Sequence, residues 1–169
     1  KYNNPGKFTA FIGYEWTSLI KGNNLHRVVI YRDNKDKTIG YTPYTNYASS
    51  DPEDLWKNLS NYQETTGGQV LAIPHNGNLS NGIMFAETRV NGEPFDASYF
   101  QERIKWEPLY EITQIKGDGE THPFLSPNDE FADFENWDFG NLDLSVKKTN
   151  DMLAGEYTRS ALKLGLKYK

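Results

Sequence analysis

The sequence predicts an α/β fold with a mainly parallel, sandwiched sheet. Short runs rich in aromatic and β-branched residues alternate with helix-length stretches, which is the pattern of βαβ units. Between Val70 and Ile73 the chain is continuously apolar, as in a strand covered on both faces. The 169 residues suit one domain, residues 1–169, and 37% hydrophobic with 24% charged residues excludes disordered, collagen-like and coiled-coil chains.

Taken in order, Phe8 to Thr17 and Leu25 to Arg32 read as two strands, with turn chemistry in the SLIKGNN segment between them. Asp51 has the character of an N-cap, Pro52 suits the first helical position, and Leu55, Trp56, Leu59 and Tyr62 form an apolar stripe that Gly67 and Gly68 terminate. The Val70–Ile73 strand stops at Pro74, which has no N–H to offer a ladder. A helix is expected from about Asp96 to Trp106, a strand over Leu109 to Ile115, and a last helix from about Asn150 to Leu164. The segments 31–50, 76–94 and 116–149 are irregular and polar.

The chain carries 18 Lys and Arg against 23 Asp and Glu, and no basic run dense enough to neutralise a row of phosphates, so nucleic acid is not expected as a partner. Apolar runs are too short for a membrane span, so no membrane partner is expected, and no targeting segment assigns a compartment. Having no cysteine, the chain can form no thiolate nucleophile, Cys-ligated zinc site or disulfide. No G-x-S-x-G, Walker or G-x-G-x-x-G pattern appears.

The three histidines, His26, His75 and His122, stand at strand ends or in a polar loop, where imidazole and carboxylate groups can be held ready for a metal. If the first hairpin turns at Ile20 and Lys21, Glu15 and His26 face each other across it, as metal ligands or as a cross-strand hydrogen bond. A turn at Gly22 and Asn23 would change that register. His75 follows the Pro74 strand stop, as a ligand or as a loop-stabilising group. Glu111 interrupts an apolar strand and requires a cationic partner, either a metal or one of Lys105 and Lys116. His122 and Glu120, in the GDGETHP loop, are additional candidates, with solvent as their alternative neighbour. The acidic residues Asp129, Glu130, Asp133, Glu135 and Asp138 lack calcium-loop spacing and read as a solvated face.

Together the stretches FTAFIGYEWTS, NLHRVVIYRD, DPEDLW, VLAIPHNGNLSNG, EITQIKGDGETHP and LSPNDEFADFE resemble a bacterial family catalogued as domain of unknown function 3604. That family is similar to the PHP (polymerase and histidinol phosphatase) metal-dependent hydrolases. The resemblance implies a distorted (β/α) barrel whose strand ends hold two or three Zn, Mn or Fe ions that activate water for hydrolysis of a phosphoester or related small-molecule ester. Glu15 is similar to the glutamate of the superfamily's G-x-E motif, His26 to the histidine opening the next strand, and His75 to that of A-H-P. Neither the superfamily's H-x-H nor its D-x-H motif occurs in the 169 residues. The expectation is therefore an internal fragment forming a partial barrel, weakly active or inactive alone, whose open edges a second copy could cover. The alternative is a carbohydrate or small-molecule binding module, motivated by Trp 4, Tyr 11, Phe 9 and the Asn-rich loops.

Overall fold

The computed structural model describes residues 2–168. It departs from the expected parallel barrel. Strands β1 (Ile12–Trp16), β4 (Arg27–Tyr31) and β5 (Val70–Pro74) form one sheet in the order β1-β4-β5, and both pairings are antiparallel. Between the first two lie β2 (Leu19–Ile20) and β3 (Asn23–Asn24), and later come α1 (Lys35–Thr38), α2 (Pro52–Thr66), α3 (Ala97–Trp106), the hairpin β6 (Thr113–Gln114) and β7 (Gly117–Asp118), and α4 (Thr158–Lys167). No barrel closes among the described residues. Nor is any helix among them long and apolar enough to cross a membrane.

The direction of β5 explains the departure. A parallel pair needs a crossover that carries the chain back along the sheet once. Here the irregular segment after β4 already makes that journey, since the Ser18 hydroxyl donates to the Ser50 carbonyl and so fixes the start of α2 at the Trp16 end of the sheet. Helix α2 then runs back to the end the chain left, and Val70 enters opposite Tyr31. Two traverses give an antiparallel neighbour.

Helix α2 forms where its caps dictate. The Asp51 carboxylate accepts from the Glu53 N–H at 2.9 Å, Pro52 occupies the first turn, and Gly67 closes the helix with φ of 61°. Leu55, Trp56, Leu59 and Tyr62 pack with Trp16, Val29, Tyr31, Val70 and Ala72 as one buried core, joined by Trp106 of α3. Asp51→Ala is expected to lower stability by about 1 kcal/mol, measured by urea unfolding with an unchanged m-value.

Alternation along β4 assigns the two faces of the sheet. Arg27, Val29 and Tyr31 point into the core, while Val28 and Ile30 are only half-buried. Glu15 lies opposite Val28, and Val28 opposite Ile73, so all three share the outer face. The inward Arg27 is buried but not alone. Its Nε donates to Glu107 Oε1 at 2.9 Å, and the Trp56 indole N–H donates to the same oxygen at 2.9 Å.

The expected strand at Leu109–Ile115 is reduced to the short hairpin β6–β7. After one backbone bond from the Glu111 N–H to the Pro74 carbonyl, the chain turns back through Ile115 and Lys116. The expected last helix starts later, at Thr158, because a 3₁₀ turn at Leu153–Gly155 precedes it.

Candidate metal centre

The hairpin joining β1 to β4 turns at Lys21 and Gly22, whose φ values of 52° and 80° match the type I′ turn that suits the twist of adjacent strands. The sequence expectation placed that turn one residue earlier and set Glu15 directly against His26. Instead Glu15 faces Val28, two residues beyond His26. Side chains two apart along a strand lie on the same face, so the shift moves the partners diagonally without separating them.

His26 and His75 extend the β4–β5 register by one residue, and the His75 N–H donates to the His26 carbonyl at 3.4 Å. Both imidazoles therefore reach the outer face at the same end of the sheet as Glu15. His75 Nε2 lies 2.9 Å from Glu15 Oε1, and His26 Nδ1 lies 3.2 Å from the same oxygen. The two rings meet edge to face with centroids 5.9 Å apart. One donor atom from each of the three residues falls within 4.8 Å of the others, and among the described residues no other trio of His, Asp and Glu converges this way.

The turn after β5 is held by buried amides. Asn24 Nδ2 donates to the carbonyls of His75 at 2.8 Å and of Asn76 at 3.0 Å, and Asn76 takes the left-handed φ of 52° that Asn tolerates. The Tyr110 hydroxyl accepts from the Gly77 N–H at 2.8 Å, and Lys148 Nζ donates to the Asn78 carbonyl. Lys148 is in turn paired at 2.7 Å with Glu156, and both side chains are almost wholly buried. Burial raises the Glu156 carboxyl to about 7 against the attraction of Lys148, and burial also lowers the Lys148 ammonium.

Donor chemistry and burial fit a divalent cation. His26 and His75 are buried, while the Glu15 side chain is 46% exposed, so the cluster is walled on the protein side and open to solvent on the other. His26 Nδ1, His26 Nε2 and His75 Nδ1 are buried without a hydrogen-bond partner. His26 Nδ1 is close to Glu15 but not aligned to bond it, whereas His75 Nε2 forms a hydrogen bond with the same carboxylate oxygen. Burial holds the His26 imidazole down at about 4, against the pull of the Glu15 carboxylate, and the neutral ring is the form that binds metals.

The other sequence candidates lie elsewhere. The Glu111 side chain is exposed and accepts from Gln114 Nε2 at 3.0 Å, pairing with neither Lys105 nor Lys116. Glu120 accepts from Arg159, whose Nη2 is 2.6 Å away, and Arg159 also pairs with Asp129. His122 Nε2 is 3.0 Å from Asp138, and its Nδ1 accepts from the Phe124 N–H. His122 is thus bonded rather than solvated, and Asp129 and Asp138 of the acidic cluster are partnered. Sequence reasoning did not single out Asn24 or Lys148, and it noted Asn78 only as the start of an Asn-Leu-Ser glycosylation-acceptor pattern, not as a neighbour of His75. Their signal was present as Asn-rich loops, but Asn24 and Asn78 are buried and spend their amides on backbone carbonyls.

A small α/β protein with a three-strand antiparallel sheet and a His-His-Glu cluster at one sheet end is the class that fold and site define. Over residues 1–169 the chain matches the family described as protein of unknown function (DUF3604), and it belongs to that family. No curated protein and no solved structure matches it.

Proposed function

We propose that Glu15, His26 and His75 hold a divalent cation of the Zn, Mn or Fe type and that the protein is a metal-dependent hydrolase acting on a phosphoester. The observation that carries this reading is the convergence of three donor atoms within 4.8 Å at a half-open site, with buried ring nitrogens left unbonded. The resemblance to PHP hydrolases supports the choice of reaction. Three protein ligands leave coordination positions for water and substrate, as in catalytic rather than structural sites. Such a cation supplies Lewis acidity, acidifying water and polarising a phosphoryl oxygen.

The protein's own groups do the rest. His26 and His75 are fixed by the register of β4 and β5, so their nitrogens are positioned before any ligand arrives. Glu15 brings the negative charge; its Oε1 faces both histidines, and the second oxygen of this half-exposed carboxylate would orient an incoming water by hydrogen bonding. The wall of the site is the apolar outer face of the sheet, Val28 and Ile73, which limits water on one side.

The test is metal content and affinity after equilibration with Mn²⁺, Zn²⁺ or Fe²⁺, followed by turnover of a chromogenic phosphomonoester. Wild type should hold one ion per chain, and His75→Ala should weaken binding by more than the ~100-fold typical of groups that merely support ligands. No uptake above background would reject the metal centre, and uptake with neither ester turnover nor binding of inorganic phosphate at the loaded site would reject the hydrolase.

A further inference from the structure

Helices α3 and α4 and the segment 85–86 surround an open pocket of about 200 Å³ whose walls are apolar but for Arg103. From α4 and its C-cap come Ala161, Leu164, Gly165 and Tyr168, spaced i, i+3, i+4 and i+7, so one face of the helix lines the pocket. The Tyr168 ring stacks on Phe100 of α3 with centroids 5.2 Å apart, and its hydroxyl donates to Glu87 Oε2 at 2.8 Å, which fixes that wall. Gly165 has no packing reason to be glycine. It weakens the helix interior relative to alanine, yet a Cβ there would meet nothing within 4 Å. The missing side chain leaves room on the face that lines the pocket. Arg103 brings a charge that the core does not balance. Among the described residues, Arg27 and Arg103 share the single carboxylate of Glu107, Arg27 at 2.9 Å and Arg103 more loosely at 3.6 Å. The Arg27 side chain is sealed at 2% exposure, whereas that of Arg103 is 21% exposed. Of the five N–H donors of Arg103, one meets the Tyr99 hydroxyl at 3.4 Å and one the Met84 carbonyl at 3.1 Å, and the guanidinium carbon stands 5.6 Å from the Phe85 ring centre.

We infer that this pocket binds a monocyclic aromatic carboxylate, its ring against Phe85, Phe100 and Tyr168 and its carboxylate on the Arg103 guanidinium. An apolar cavity of about 150 Å³ accepts benzene, so the volume here suits one ring with a short acidic arm. Aromatic walls favour a ring over a flexible chain through edge and face contacts. A carboxylate at Arg103 gives the second guanidinium an anion of its own, and the planar fork matches the two carboxylate oxygens. A neutral ring gains burial alone. The pocket shares no residue with the metal centre, so its ligand requires no metal.

The experiment titrates benzoate and benzyl alcohol by calorimetry into wild type, Gly165→Leu and Arg103→Gln, with urea unfolding and sedimentation of each. Benzoate should bind wild type with a Kd of about 1 mM or below. Benzyl alcohol, which has the ring without the charge, should bind at least about tenfold more weakly. Gly165→Leu puts a side chain on the pocket face and replaces glycine by a strong helix former, so benzoate binding should be lost while the urea midpoint holds or rises. Arg103→Gln should weaken benzoate about tenfold or more and change benzyl alcohol little. No benzoate binding to wild type up to about 10 mM, equal affinity for the two compounds, or unchanged benzoate binding in Gly165→Leu would each overturn the proposal. A wild-type dimer that Gly165→Leu dissociates would assign the pocket to a second copy and overturn it as well.

Discussion

Lys148→Met is expected to destabilise the protein by about 3–5 kcal/mol, because it strands the Glu156 carboxylate in a site closed to water. Total stabilities of about 5–15 kcal/mol leave little after such a loss. The same substitution removes a donor from the Asn78 carbonyl, so the turn carrying His75 should loosen and metal affinity should fall with stability. In the double variant Lys148→Met, Glu156→Leu no charge is left buried alone, and roughly half or more of the lost stability should return. Urea unfolding of the four members of this cycle measures the coupling. Additive losses would show that the two side chains are stabilised independently, contrary to the 2.7 Å pairing.

Glu107→Gln should produce a loss of similar size and also change the acid limb of stability. Burial pushes the Glu107 carboxyl up, but Arg27, Arg103 and the Trp56 N–H together outweigh burial and hold it below the ordinary carboxylate range. A carboxylate depressed in the folded state binds its proton more readily when unfolded. Its contribution is therefore complete above the unfolded value, about 4.3, and disappears as pH falls through the lower folded value. Wild type should lose this stabilisation below about pH 4, whereas Glu107→Gln should start about 3–5 kcal/mol lower at pH 7 and show a flatter acid limb. Chemical unfolding at intervals from pH 7 to pH 3 distinguishes the two curves. Identical slopes would mean that Glu107 titrates as it does in the unfolded chain.

Local chemistry made parts of this structure legible in advance. Asp51, Pro52 and Gly67 mark the ends of α2 because capping depends on neighbours within one turn, and the stripe Leu55, Trp56, Leu59 and Tyr62 is the face that packs. Glu15 and His26 were paired from a turn placed at Ile20 and Lys21; the turn lies one residue later, so Glu15 faces Val28 instead, and the two-residue change of register keeps His26 on the same face. The strand over 109–115 was misread because apolar residues there suit a strand, while Tyr110 is instead engaged by the Gly77 N–H and the chain reverses at Lys116. His122 and Glu120 were additional candidates with solvent as their expected neighbour, but their partners, Asp138 and Arg159, lie 16 and 39 residues away. No short-range pattern announces such partners.

The sequence by itself determined the ends and buried face of α2, the extended character of β1, β4 and β5, and which residue types were available to hold a metal. These follow from periodicity, caps and turn residues, all of which act over a few residues. Only the tertiary structure decided that β5 runs antiparallel to β4 and that His75 joins Glu15 and His26 while Glu111, Glu120 and His122 do not. Each depends on the path of a long connection across the sheet, and that path is set by burial of the whole core rather than by the residues within it.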